Sequence, residues 1–206
     1  MKGFKAYDIR GVYGKDFNED DAYKIGFFLP RLLNTDAVLV GRDVRSSSES
    51  LFSALSAGIT DAGADVYDMG LATTPMVYFG TAHFGFGASV QITASHNPKE
   101  YNGFKVSKAG ALPVGYESGL SDLQILVENE VPQPARRKGE VKPFEVRETY
   151  EQFLASYVPE SFGSLDVTVD CSNGMRPLML QELLGDRRHH LYDKPAAPPP
   201  HRPGRR

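Results

Sequence analysis

Two short apolar runs set the tightest limit on what this chain can fold into. One is Ala37-Val38-Leu39-Val40 and the other spans residues 64–69; between them Leu51, Leu55 and Ile59 recur at i, i+4 and i+8. That spacing puts apolar side chains on one helical face, and the flanking runs have the length of buried strands. A strand, a helix and a strand in this order make a βαβ unit, whose strands lie parallel in one sheet. Gly63 supplies a left-handed stop after the helix. The pattern therefore predicts an α/β fold.

The same alternation extends both ways. Asn18 reads as a helix cap, with Asp20 and Asp21 in the first turn and Ala22, Ile25, Phe28, Leu29 and Leu32 as the apolar stripe. Pro30 falls inside that stripe and is expected to kink or shorten the helix. Residues 4–11 read as an extended piece ending at a Gly turn, and Ser46, Ser47 and Ser48 as caps for the helix carrying Leu51. Thr73-Thr74-Pro75 opens another helix, with Pro75 at its first position and Met76, Phe79 and His83 turned inward. Gly85 and Gly87 end it and lead into a buried strand over residues 88–92.

That strand delivers the chain to Thr93-Ala94-Ser95-His96-Asn97-Pro98. Pro98 biases Asn97 away from the helical region. A hydroxyl, an imidazole and a carboxamide then share a tight loop at the carboxyl end of a strand, where open α/β sheets gather their ligands. Asn102-Gly103-Phe104-Lys105 follows and, as the start of the next strand, returns a positive charge to the loop. Residue types alone leave four readings open. Ser95 and His96 as a hydrolase pair is disfavoured, because neighbours in an extended segment point to opposite faces and there is no Gly-x-Ser-x-Gly elbow. The others are a passive phosphate loop, a serine that carries and passes on a phosphoryl group, and a plain Asx or Ser turn closed by Pro.

Three ordered motifs decide among them. Thr93-Ala94-Ser95-His96-Asn97-Pro98 with Asn102-Gly103-Phe104-Lys105, Phe4-Lys5-Ala6-Tyr7-Asp8-Ile9-Arg10-Gly11, and Gly41-Arg42-Asp43-Val44-Arg45-Ser46-Ser47 together resemble the bacterial α-D-phosphohexomutases, the phosphomannomutase/phosphoglucomutase enzymes. The resemblance implies a mixed, mostly parallel sheet sandwiched by helices, followed by an incomplete second α/β domain. It implies a hexose 1-phosphate to hexose 6-phosphate mutase working through phosphoserine 95, with Lys105 as general acid/base and His96 supporting the loop. Arg10, Tyr7, Asn97 and Lys105 are then the substrate or phosphate contacts, and Mg2+ is the implied cofactor, held in part by the phosphate on Ser95. Asp43, flanked by Arg42 and Arg45, reads as an ion-pairing partner within the protein. A non-catalytic phosphate-binding or interaction module is the competing class; for it, Ser95→Ala leaves binding intact.

The resemblance implies a hexose phosphate as partner, and other properties exclude further classes. The formal net charge of −3 lacks the basic footprint of a nucleic-acid binder. No stretch approaches the roughly 20 apolar residues of a membrane span. Cys171 is the single cysteine, so an internal disulfide is excluded and a cytoplasmic location is expected. The pattern sets no oligomeric state.

Expected boundaries are residues 1–130 for the first domain, 131–143 for a linker containing Pro132, Pro134 and Arg136-Arg137-Lys138, and 144–193 for the start of a second domain. That start holds a helix with Tyr150, Phe153, Leu154 and Tyr157, a strand over 165–170, an Asn173-Gly174 turn and a helix opened by Pro177. Residues 194–206 are Pro- and Arg-rich and are expected to be disordered. The abrupt change is what a frameshift or early stop in a longer reading frame would produce. The 206 residues contain no Asp-Gly-Asp-x-Asp-Arg, the magnesium loop that the resemblance implies, and the implied sugar and carboxyl-terminal phosphate loops are also missing. The chain by itself is therefore expected to be inactive or weakly active.

Overall fold

The computed structural model describes residues 1–159, 168–170, 175 and 189–191. Its centre is a sheet of strands β1 (Ile9–Val12), β2 (Ala37–Arg42), β3 (Asp65–Leu71), β4 (Ala88–Ile92), β5 (Tyr101–Lys108), β6 (Leu112–Pro113) and β7 (Val141–Pro143). The spatial order is β1-β5-β4-β2-β3-β7, with β6 added beside β5. β2 pairs in parallel with β3 and β4, and β3 with β7; β5 runs antiparallel to β1, β4 and β6. The sheet is mixed, with its parallel half built from the βαβ units expected from the sequence.

Helices α1 (Glu19–Leu33), α2 (Ser48–Asp61), α3 (Thr74–His83), α4 (Leu120–Asn129) and α5 (Arg147–Ala155) cover both faces. The stripe of α1, with Leu55 and Ile59 of α2 and Leu120 and Leu123 of α4, meets Val38, Val90, Ile92 and Phe104 in one continuous core. On the opposite face, Met76 and Val77 of α3 pack with Ala72, Val146 and Tyr150. Gly26 and Gly58 let α1 and α2 touch backbone to backbone. A Cβ on them would fall 2.1 Å from the Leu55 carbonyl oxygen and 2.0 Å from that of Tyr23.

Local signals explain most boundaries. The Asn18 side chain accepts from the backbone N–H groups of Asp20 and Asp21, and Asp21 accepts from the Asn18 N–H, a reciprocal cap. Thr73 caps α3 through the Met76 N–H, with Pro75 at the second helical position.

Several expectations are corrected. Pro30 does not end α1, which runs on to Leu33; the Pro30 carbonyl accepts from Asn34 and Thr35 N–H, and Asn34 closes the helix in a left-handed conformation. Residues 9–12 form a strand straight through Gly11, and the turn lies beyond it, where Gly14 has φ +76°. Ser47 makes no side-chain cap on α2; its hydroxyl and that of Ser48 accept from Asn102 instead. His83 is exposed and stacks on Phe79 at 4.8 Å rather than entering the core.

The segment read as a linker ends in β7, which joins the main sheet beside β3. Phe144, Val146 and Tyr150 then fold back on α3. Beyond them, β8 (Thr168–Asp170) pairs in parallel with β9 (His189–Leu191). The Asn173-Gly174 turn, the helix from Pro177 and the 194–206 tail lie outside the described residues.

Candidate active site

The position of the site follows from the path of the chain. From β2 the chain passes through α2 to β3 on one side, then returns through α3, on the opposite face, to β4 on the other side of β2. The connections diverge at the carboxyl ends of β2 and β4, which is where doubly wound sheets open a crevice. The loop carrying Ser95 leaves β4 at that point. It borders a cavity of about 420 Å³ lined by Asp43, Thr73, Gln91, Thr93, Ser95 and His96 among others. A larger cavity, about 820 Å³, lies between the carboxyl ends of α1 and α2, lined by Phe28, Asn34 and Gly63 among others. None of the motif residues lines it, so the smaller crevice, which holds Ser95 and His96, is the chemical candidate.

Ser95 stands exposed at the first corner of a turn that the Asn97 N–H closes onto the Ala94 carbonyl at 3.0 Å. Its φ is +57°, a left-handed conformation that costs a non-glycine residue roughly 1–2 kcal/mol. The surroundings over-determine it. The Ser95 N–H donates to Thr93 Oγ1 at 2.9 Å, and Thr93 Oγ1 donates to Asp43 Oδ2 at 2.7 Å. The Thr93 N–H reaches the Gly103 carbonyl at 3.0 Å, tying the loop to β5.

Asp43 and Arg45, following β2, form the buried base of the loop. Asp43 accepts from Thr93, from Ser48 Oγ at 2.7 Å, and from both the N–H and Nε of Arg45 at 3.0 and 3.3 Å. The ion pairing expected for Asp43 is present. Arg45 then donates to backbone carbonyls of the loop: Nη1 to Pro98 at 2.8 Å and Tyr101 at 3.0 Å, Nη2 to Ser95 at 3.0 Å and Asn97 at 2.8 Å. Its side chain is 5% exposed.

The other cations lie on the β1–β5 side. Arg10 Nη1 donates to Asn97 Oδ1 at 2.8 Å, joining β1 to the loop. Arg10 Nη2 and Lys105 Nζ share Asp8 Oδ2, the lysine at 3.1 Å. Asp8 is buried while both cations keep partial exposure. Burial above all pushes the phenol of nearby Tyr78 up from its ordinary value, and the Asp8 charge adds to the shift.

Hydrogen bonds thus join Ser95 to His96, Asn97 to Arg10, and Arg10 to Lys105 through Asp8; Ser95 and His96 line the crevice, whereas Asn97, Arg10 and Lys105 border the loop from the β1–β5 side and are not among its lining residues. Ser95 Oγ lies 3.3 Å from His96 Nδ1. Adjacency does not separate the two side chains, because the left-handed turn at Ser95 replaces the extended backbone assumed from the sequence. Tyr7 is not in the crevice. It is 84% exposed and lines a separate groove with Phe4, Pro113 and Tyr116.

Sequence reasoning missed the anchoring duty of Arg45, Thr93 and Asn102. The signal available was the short polar run after β2, but its partners are mostly backbone groups of another segment. Among the described residues no group of three or more His, Cys, Asp or Glu could hold a metal. The carboxylates bonded into the loop network are committed, Asp43 to its donors and Asp8 to two cations. These residues do not fit a magnesium site. No helix among them is long and apolar enough to cross a membrane.

Comparison with known proteins agrees with this fold. Residues 1–121 match the family model described as phosphoglucomutase/phosphomannomutase, alpha/beta/alpha domain I. A phosphomannomutase of Escherichia coli is 44% identical over 180 residues, covering 86% of this chain and 37% of that protein. A Klebsiella pneumoniae phosphomannomutase is 47% identical over 150 residues, covering 71% of this chain and 95% of that protein. A phosphoglucomutase/phosphomannomutase family protein of Burkholderia thailandensis superposes with a TM-score of 0.83 at 30% identity, over 97% of this chain and 46% of that one. The chain spans less than half the length of the E. coli and B. thailandensis relatives.

Proposed function

This chain belongs to the phosphoglucomutase/phosphomannomutase family, and on that premise we propose that it carries the phosphoryl-relay serine of a hexose 1-phosphate to hexose 6-phosphate mutase. The observation that carries the reading is Ser95 itself. It is exposed at a sheet switch point, held in a left-handed turn, with Arg10 bonded to its loop and Lys105 on the adjacent strand.

Phosphoryl transfer asks for positioning and charge stabilisation more than covalent help from the protein. In the forward half-reaction the phosphoserine P–Oγ bond breaks and a P–O bond forms to the sugar hydroxyl. The hydroxyl proton is left on Ser95 Oγ. In the return half, Ser95 Oγ takes the other phosphoryl group from the sugar bisphosphate and its proton goes to the sugar oxygen. Lys105 is the proposed general acid/base for that proton, and His96, in contact with Ser95 Oγ, supports the oxygen. Arg10 is the fixed cation facing the phosphate, its fork oriented by Asn97 and Asp8. Magnesium, which the family generally uses, would take its protein ligands from outside the described residues.

The 206 residues alone are proposed to accept a phosphoryl group without sustained turnover. Intact mass and a peptide map after incubation with glucose 1,6-bisphosphate should show one phosphate, on Ser95, and none in Ser95→Ala. An unmodified Ser95 overturns the relay reading. Robust conversion of glucose 1-phosphate to glucose 6-phosphate by the purified chain overturns the claim of no turnover.

A further inference from the structure

Arg45 lies in a motif whose cations invite assignment as phosphate ligands. Its geometry forbids that duty. The Nε donor goes to Asp43, and both donors of Nη1 and both of Nη2 go to the carbonyls of Pro98, Tyr101, Ser95 and Asn97. That is the full donor inventory of a guanidinium. The side chain is 5% exposed, so nothing remains to meet an incoming anion.

We infer that Arg45 is the positioning residue of the Ser95 loop, holding the serine in its left-handed conformation by clamping carbonyls on both sides of Pro98. The inference rests on the relay reading only in what the loop is for; the clamp itself is independent of it. Carbonyls converging on one point repel each other unless a cation lies at their centre. Asp43 fixes the guanidinium from behind and, through Thr93, reaches the Ser95 N–H, so one buried ion pair holds the loop from two directions. Lysine cannot replace this. Its ammonium is a point charge with fewer donors and no planar fork.

The test compares Arg45→Lys with the wild-type chain by amide hydrogen exchange and by Ser95 phosphorylation from glucose 1,6-bisphosphate. Exchange at Ser95, Asn97 and Tyr101 should quicken by about 10- to 100-fold, while β2 and β4 stay within about 2-fold. Half-saturating bisphosphate should stay the same, and the maximal rate should fall by on the order of 10²-fold, the cost of about 1 Å of misplacement. Unchanged loop exchange overturns the clamp, and so does uniform acceleration across the sheet. Loop exchange that quickens while wild type takes up no phosphate keeps the clamp and removes the relay reading.

Should Arg45→Lys fail to fold, phenylglyoxal mapping of wild type decides. Arg45 should be modified at least about 10-fold more slowly than Arg31, whose side chain is 57% exposed. Equal rates overturn the inference.

Discussion

Gly103→Ala tests the coupling between the sheet and the site. Gly103 sits in β5 opposite Arg10 of β1, and its carbonyl holds the Thr93 N–H on the other side. A Cβ there would fall 2.1 Å from the Ile9 carbonyl oxygen and 3.0 Å from the Arg10 Cα. Both obstacles are backbone, so no side chain can swing aside. β1 would have to retreat from β5 by about 1 Å to restore normal contact. Overpacking of this kind costs roughly 1–3 kcal/mol. For a protein of this size that lowers the melting temperature by about 2–12 °C. The same retreat moves Arg10 away from Asn97 and Lys105. A 1 Å displacement is worth on the order of 10²-fold in rate. Thermal unfolding followed by circular dichroism reads the first effect, and the initial rate of Ser95 phosphorylation reads the second. A variant that melts within about 1 °C of wild type refutes the claimed closeness of β1 and β5. One that melts lower but phosphorylates at the wild-type rate refutes the role given to Arg10.

Other perturbations probe separate parts. Thr93→Val keeps the shape but removes the bonds to Asp43 and to the Ser95 N–H; urea unfolding should show a loss of roughly 1–3 kcal/mol, and no measurable change would contradict the network. Val146→Ala opens space beside Ala72, Met76 and Val77 and should cost about 2 kcal/mol; an unaltered urea midpoint would mean that residues 144–155 do not pack on α3. Burial, then the bond to Asp61, raises the Tyr23 phenol to about 12. The folded state therefore prefers the neutral phenol. Its stabilisation is complete below the unfolded value near about 10 and is lost as pH rises toward the folded one. Tyr23→Phe should flatten the decline in stability between about pH 10 and about pH 12, and identical pH profiles would refute this.

Much of the architecture is legible because it depends on local pattern. The βαβ run from residue 37 to 69 and the Asn18 cap are recorded in side-chain spacing that acts within a few residues. Pro30 misleads for an instructive reason. A proline breaks a helix through the bond it cannot donate, yet α1 continues to Leu33 with the Pro30 carbonyl still accepting beyond it. β7 escaped notice because three residues, two of them exposed, carry no alternation; β3 recruits them by pairing.

Where the nucleophile candidate lies, which cations accompany it in the chain, and that the strand before it is buried are all readable from residue order. Those properties belong to side chains and their order. That Arg45 serves the loop and not a ligand, that Ser95 contacts His96, and that Tyr7 lies elsewhere emerge from the folded arrangement alone. The partners that settle the first point are backbone carbonyls, identical in every residue, so no side chain in the sequence marks them. Their convergence exists only once β2 and β4 lie side by side.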